Sequence, residues 1–151
     1  MKYTLEVTVD APLSEFIQKM DNADNMIHWQ RGLIDHEFTE GEPGEIGSKM
    51  LLKYDDGKRK FELLETILKR DFPHEFHATY EMPGMYNEQR NYFTETTDGK
   101  TKWVSQSMFS SDKLLYRLMF MLAPFIFKKQ SRLIMSDLKN FVENGTSVQD
   151  A

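Results

Sequence analysis

The chain has 151 residues, of which 40% are hydrophobic and 28% charged, a composition typical of one globular domain and unlike a disordered segment. Its formal net charge of −5 disfavours binding to a phosphate backbone, so we expect no nucleic-acid partner. The chain contains no cysteine, which excludes disulfides, thiolate nucleophiles and zinc sites with cysteine ligands.

The N-terminal residues alternate between polar and apolar side chains, which predicts a half-buried strand that ends near Val9. They contain no apolar core of a signal peptide, so we expect a cytoplasmic protein. Asp10 and Pro12 mark the start of a short helix, because proline fits the first helical turn. A polar run ends this helix, and a second short helical turn is predicted around Trp29.

From residue 33 onward the sequence predicts strands and turns. Turn signals rich in glycine, proline and aspartate separate extended segments. The predicted strands are 33–40, 47–54, 58–70, 74–82, 86–96 and 101–109. The short turns between them indicate an antiparallel meander.

The last forty residues are predicted to be helical, with apolar side chains on one face and mostly basic ones on the other. The apolar stripe contains Phe127, Ile134, Met135, Leu138, Phe141 and Val142. Gly145 is the expected C-cap. We therefore predict one domain over residues 1–145 and a short flexible tail over residues 146–151.

A long terminal helix is the only predicted element that could cover the sheet. The predicted fold is α+β, with a seven-stranded curved antiparallel sheet wrapped around that helix and two short helices after the first strand. A strongly bent sheet over one helix rarely closes tightly, so we expect an internal cavity lined by aromatic residues and methionines.

Several segments resemble those of the START/SRPBCC superfamily, which has the helix-grip fold. They are Val9–Pro12, Trp29–Leu33, Gly44–Ser48, Ala123–Gln130 and Leu138–Glu143. The last two look like the terminal helix of bacterial polyketide-cyclase-like members, and the superfamily also contains birch-allergen-like proteins and lipid-transfer domains. The resemblance implies the fold and a hydrophobic ligand, but it carries over no catalytic residue and no cofactor.

We predict a cavity lining drawn from a short helix, two strands and the terminal helix. In the fourth predicted segment Phe76 and Tyr80 belong to an alternating apolar set that should face inward. The predicted lining is Trp29, Phe76, Tyr80, Tyr92, Phe127, Met135 and Leu138. Trp29 is placed there only by the resemblance.

The predicted strand 86–96 has two polar faces. One carries Tyr86, Glu88, Arg90, Tyr92 and Thr94, and the other carries Asn87, Gln89, Asn91, Phe93 and Glu95. Whichever face points inward has polar groups that need partners. They could anchor the polar end of a ligand or form a general acid–base pair, or the strand could simply be exposed.

No sequence pattern predicts a metal site or a catalytic motif. His74 and His77 lie three residues apart in a strand, so their side chains should point to opposite faces. Gly41, Gly44 and Gly47 lead into a strand, whereas a phosphate-binding loop leads into a helix.

The stretch 114–127 is apolar almost all round, although a helix that covers a sheet needs only one apolar face. Pro124 should kink or restart the helix. One interpretation buries both faces. The other makes the stretch a lid around Met119, Phe120 and Met121, partly exposed and able to contact an anionic membrane surface transiently.

The leading functional prediction is a binding or carrier domain for a lipid-like or aromatic metabolite. One alternative is a cyclase or dehydratase acting on a polyketide-like substrate. Another is a protein-interaction or chaperone-associated module, because one fold can host unrelated functions.

Overall fold

The structure, a computed structural model, describes residues 1–150. In chain order its main elements are β1 (Lys2–Val9), α1 (Leu13–Met20), α2 (Met26–Trp29), β2 (Leu33–Glu40), β3 (Lys49–Asp55), β4 (Lys60–Asp71), β5 (Glu75–Met82), β6 (Met85–Glu95), β7 (Thr101–Ser110), α3 (Leu114–Leu122) and α4 (Pro124–Asn144). Two 3-10 helices, Ala23–Asn25 and Val148–Asp150, complete the set. The strands predicted from residue 33 onward agree with β2 to β7 to within two residues at each end.

The seven strands form one antiparallel sheet in the order β1-β7-β6-β5-β4-β3-β2. Strands β2 to β7 follow one another as hairpins, and β1 closes the order by pairing with β7. The register shifts between Ile67 and Lys69 in β4 and at two points in β2. Such irregularities bend a strand, and the predicted curved antiparallel sheet is confirmed.

Two apolar clusters occupy the concave side of the sheet. The first cluster joins β1, β6 and β7 to α1 and α4, and it comprises Tyr3, Leu5, Val9, Ala11, Leu13, Phe16, Phe93, Trp103, Met135, Leu138 and Val142. The Phe16 ring lies 5.3 Å from Phe93 and 5.9 Å from Trp103, measured between ring centroids. Aromatic pairs at this spacing add to the stabilisation from burial.

The second cluster lies at the other end of the sheet, under α2. It comprises Met26, Leu33, Met50, Leu52 and Tyr54. The hydroxyl of Tyr54 donates a hydrogen bond of 2.5 Å to Oε1 of Gln30, which directly follows α2. Trp29, at the end of α2, packs against both clusters and therefore lies across the space between them.

The C-terminal helical region is interrupted at Ala123, whose φ of −136° is not helical. Pro124 then begins α4, where its missing N–H costs no hydrogen bond, so the predicted restart is confirmed. Gly145 ends α4 in the left-handed conformation with φ 69°, as predicted. Beyond it, the Gln149 side chain donates to the carbonyl of Ile27, 3.1 Å away. No helix within residues 1–150 is both long and apolar enough to cross a membrane.

Candidate functional site

The strand register shows which face of β6 points inward. Leu5 of β1, a member of the first cluster, pairs with Ser105 of β7, and Ser105 pairs with Asn91 of β6. Residues directly opposite each other in a sheet share a face. The concave face of β6 therefore carries Asn87, Gln89, Asn91 and Phe93, and the convex face carries Tyr86, Glu88, Arg90 and Tyr92.

The prediction that Tyr92 lines the cavity is wrong. Its ring packs edge-on against the imidazole of His77 on the convex face, with 5.0 Å between centroids. Both faces of β6 are polar, so the alternation in the sequence could not identify the inner one. In a strand, choosing the wrong face misplaces every side chain at once.

A row of polar side chains crosses the middle of the concave face. Glu65 of β4 pairs with Tyr80 of β5, and Tyr80 pairs with Asn87 of β6. Gln89 and Asn91 continue the row along β6. We call these five residues the polar strip. Because the second cluster lies on β2 and β3 and the first on β1, β6 and β7, the strip separates the two clusters.

The amides of the polar strip are held by hydrogen bonds within the sheet. Gln89 Nε2 donates to Asn87 Oδ1 at 2.9 Å, and Asn87 Nδ2 donates to the carbonyl of Met108 at 3.1 Å. The indole N–H of Trp103 donates to Asn91 Oδ1 at 2.9 Å. These bonds fix the orientation of the amides, as expected for buried polar groups.

Glu65 and Tyr80 have the most strongly perturbed environment of the strip. Burial raises the pKa of the Glu65 carboxyl, and a hydrogen bond with Tyr80 opposes that rise in part. Burial, followed by the nearby Glu65 carboxylate, holds the pKa of Tyr80 well above its ordinary value. Burial and Glu65 also raise the pKa of Tyr54. Glu65 therefore keeps its proton to a higher pH than an exposed glutamate does.

Glu65 was not identified from the sequence, although a signal was present. It is the only charged residue in the alternating series Phe61, Leu63, Glu65, Ile67, whose other members are apolar. A lone acid on the apolar face of a strand indicates a buried carboxyl. Its neighbour Tyr80 comes from another strand, so the pair became visible only with the register.

Trp29, on the helical side, packs against both of the apolar clusters that flank the polar strip. Its Nε1 is fully buried and has no hydrogen-bond partner within residues 1–150. Buried indole N–H groups usually find an acceptor, and one without a partner costs free energy. The sequence resemblance placed Trp29 at the cavity, and the structure brings it into contact with both clusters.

The other predicted lining residues fall into different surroundings. Phe76 pairs with Asn91 and so faces the concave side, where its ring stacks on Phe72 at 5.8 Å. Phe127 packs against the ring of Phe120 in α3 at 5.2 Å. Leu138 and Met135 are buried in the first cluster, with Leu138 fully inaccessible. Contact of these residues with a ligand stays a prediction.

An open groove lies at one end of the sheet, between the β5–β6 turn and the beginning of α3. Its volume is about 490 Å³, and its lining includes Met82, Met85, Tyr86, Ser111 and Arg117. Met82 lies two residues beyond Tyr80 in the same strand and therefore shares its face.

The two histidines considered as metal ligands have separate partners. The Nδ1 of His74 lies 3.1 Å from the carbonyl oxygen of Phe93. The ring of His77 contacts Tyr92 on the convex face, and its Nδ1 accepts from the backbone N–H of Asn91 at 3.1 Å. Their side chains are thus engaged individually.

Solved structures resemble the chain over nearly its whole length, whereas no family model and no curated protein matches its sequence. Ara h 8.0201 superimposes with a TM-score of 0.74 at 15% identity, covering 94% of this chain and 97% of that one. TTHA0849 from Thermus thermophilus gives 0.76 at 12% identity, covering 97% and 100%. A Staphylococcus aureus protein of unknown function, SA2116, gives 0.76 at 11% identity, covering 96% of each. These likenesses confirm the helix-grip fold that the sequence resemblance implied.

Proposed function

We propose that this helix-grip chain binds an apolar small molecule on its concave face and anchors the polar end of that molecule at the polar strip. The observation that supports this best is the buried pair Glu65 and Tyr80 between two apolar clusters. The clusters offer apolar contact, and the strip offers a few fixed polar groups. Small-molecule sites commonly combine these two features.

The polar groups of the strip and the indole of Trp29 favour a ligand that accepts hydrogen bonds. Trp29 has a buried N–H without an acceptor, Tyr80 carries a hydroxyl, and the raised pKa of Glu65 favours its protonated, donating form. A hydroxyl or carbonyl oxygen on the ligand would satisfy such donors. The unpartnered indole of Trp29 is the group that would gain most from it.

Charge favours a neutral ligand over a carboxylate. Arg70, beyond the bulge in β4, is the only lysine or arginine of the sheet that shares the concave face with the strip. Its guanidinium already forms an ion pair with Asp21 at 2.5 Å. A fatty-acid carboxylate would therefore lie beside Glu65 without a counter-ion. Burying an unpaired charge costs far more than burying a hydroxyl group with a partner. A long-chain alcohol or ketone suits the site better.

A competition assay with a matched pair of ligands tests this proposal. The neutral fluorophore N-phenyl-1-naphthylamine would report on the apolar site, and dodecanol and dodecanoate would compete with it at about pH 8. We expect dodecanol to displace the fluorophore at a concentration at least about tenfold lower, a difference of about 1.4 kcal/mol. Glu65→Gln should narrow this preference, and Glu62→Gln, on the convex face of the same strand, should leave it unchanged.

The two parts of the proposal fail in different ways. If neither the fluorophore nor either competitor binds saturably, the binding function is wrong. If dodecanoate binds more tightly than dodecanol, the binding function stands and the neutral ligand class is wrong. Tyr80→Phe removes one donor with little change in volume, so it should weaken dodecanol binding more than it weakens binding of the fluorophore.

A second candidate function is acid–base catalysis, which the same buried pair favours. Once ionised, Glu65 with its raised pKa would be a stronger base than an exposed glutamate, and Tyr80 could donate a hydrogen bond to an enolate oxygen. The corresponding step is transfer of a proton from the carbon next to a ketone to the Glu65 carboxylate. NMR of a long-chain β-ketoester in D₂O would show faster deuterium exchange at that carbon. Exchange at the same rate with wild type and Glu65→Gln would rule out this candidate.

A further inference from the structure

Helix α3 has one face on the protein and one face in solvent. The Phe120 ring on the inner face lies 5.9 Å from that of Phe109 and 5.2 Å from that of Phe127. The outer face, including the first turn of α4, exposes Leu114, Leu115, Leu118, Met121, Leu122 and Phe125, with exposed fractions between 41% and 74%. The interpretation that buries both faces is therefore wrong. We call these six residues the exposed apolar face.

The exposed apolar face is one continuous stripe. The five positions in α3 follow the helical spacing of three or four residues, so their side chains lie next to one another, and Phe125 follows in the first turn of α4. Single exposed apolar residues are common on protein surfaces and need no explanation. A continuous patch of large ones usually marks a contact with a partner or a membrane.

Positive charge is concentrated in the same segment. Residues 113–136 contain five basic residues and no acidic one, a charge of +5 in a chain whose net charge is −5. The rest of the chain therefore carries −10. The basic residues are Lys113, Arg117, Lys128, Lys129 and Arg132.

Within residues 1–150 these five cations have no acidic partners. None of them forms an ion pair within residues 1–150, whereas eleven of the other fourteen lysines and arginines do. Their charge therefore remains available to an external anionic surface. A second copy of the chain would be a poor occupant, because a symmetric dimer would bring five more positive charges to the same interface.

The position of α3 is fixed by contacts at its beginning. The Ser111 hydroxyl hydrogen-bonds to the carbonyl of Gly84 in the β5–β6 turn, and the side chain of Arg117 donates to the carbonyl of Ser111 at 3.1 Å. The exposed apolar face is therefore presented by an ordered helix beside the groove described above.

We propose that the exposed apolar face and the five cations form a docking surface for an anionic lipid bilayer. Helix α3 would lie in the plane of the interface, with its apolar side chains among the upper acyl groups and the cations at the level of the phosphates. The proposal does not depend on the nature of the ligand at the polar strip.

Co-sedimentation of the full chain with lipid vesicles tests this surface. We expect binding to vesicles of phosphatidylcholine with about one third phosphatidylserine, and at least about tenfold weaker partitioning to phosphatidylcholine alone. Met121→Ser with Leu122→Ser removes apolar contact, and Lys129→Gln with Arg132→Gln removes charge. Each pair should lower partitioning by about tenfold or more. All four positions are exposed, so the fold should survive, and circular dichroism would check this.

The matched control is Ile46→Ser with Lys58→Gln, which changes an exposed apolar residue and an exposed cation outside the segment. It should bind like wild type. Equal partitioning of all variants, or no binding to anionic vesicles, would overturn the proposal. A third result would also overturn the proposal. The wild-type chain would fail to bind vesicles and form a dimer in light scattering, and Met121→Ser with Leu122→Ser would dissociate that dimer.

Discussion

The first cluster and the polar strip lie on the same face of one sheet, but the cluster consists of apolar side chains and the strip of polar ones. In the first cluster Phe16, Phe93 and Leu138 are almost inaccessible to solvent. In the strip the polar Asn87 and Asn91 are also buried, while Glu65, Tyr80 and Gln89 keep a small accessible fraction. The buried apolar residues of α4, which are Met135, Leu138 and Val142, all belong to the first cluster. The long helix therefore stabilises one part of the concave face and leaves the other to polar side chains.

This difference indicates that stability and binding are supported by different parts of the concave face. Apolar burial at the first cluster contributes most of the packing energy, since each fully buried large side chain is worth about 1.5–3 kcal/mol. Buried polar groups at the strip contribute little or cost free energy unless they have partners. Three experiments test the separation, in order of expected effect.

Removal of residues 127–151 should have the largest effect. It takes away all three α4 residues of the first cluster and uncovers β1, against which α4 packs. We expect no cooperative thermal unfolding and no near-UV dichroism from the shortened chain, because the remaining elements cannot bury that part of the sheet. A cooperative transition with a native near-UV spectrum would show that α4 is not the stabilising element.

Two leucine substitutions compare the parts of the face directly. Leu138→Ala in the first cluster should lower the free energy of unfolding by about 2–5 kcal/mol, because the side chain is fully buried. Leu63→Ala, beside the second cluster and half-buried, should cost about 1 kcal/mol. Urea denaturation of both variants measures these values. Equal costs would contradict the difference in packing.

Of these changes, Glu65→Gln should have the smallest effect on stability, and it should stabilise the protein only at higher pH. Burial raises the pKa of Glu65 in the folded protein above its unfolded value of about 4.3, so ionisation favours the unfolded chain. The contribution of Glu65 to stability is thus fully present below about pH 4 and is lost as the pH rises through the folded pKa. The Tm of Glu65→Gln should exceed that of wild type by a few degrees at about pH 8 and match it below about pH 4.

The control for this measurement is Glu62→Gln, a change of the same chemistry at an exposed position of β4. It should leave the pH dependence of the Tm as in wild type. If Glu65→Gln raised the Tm equally at both pH values, the effect would come from packing and not from ionisation.

The strands could be predicted because alternation and turn residues are local signals. The restart at Pro124 and the end at Gly145 likewise depend on backbone properties of single residues. The face of β6 could not be predicted, since both of its faces are polar and only pairing with β7 orients it. The Glu65–Tyr80 pair depends on register between strands. Local patterns contain no information on such pairings.

The exposure of α3 also could not be predicted from the sequence. An apolar residue contributes the same hydrophobicity whether it packs on the protein or faces solvent, so the stretch 114–127 fitted both interpretations. The distribution of acidic residues was the available indication. The chain contains 24 acidic residues, yet the 24 residues from 113 to 136 include none. Such a segment, which also contains lysines, is unusual for a buried core element.

The separation of charge described for residues 113–136 also gives the molecule an electric dipole moment. Near a negatively charged surface, this dipole experiences a torque that turns the α3 end toward the surface and the acidic remainder away from it. The orientation is thus selected before any apolar contact forms. Since salt limits such fields to about 8 Å at physiological ionic strength, added salt should slow the arrival of correctly oriented molecules.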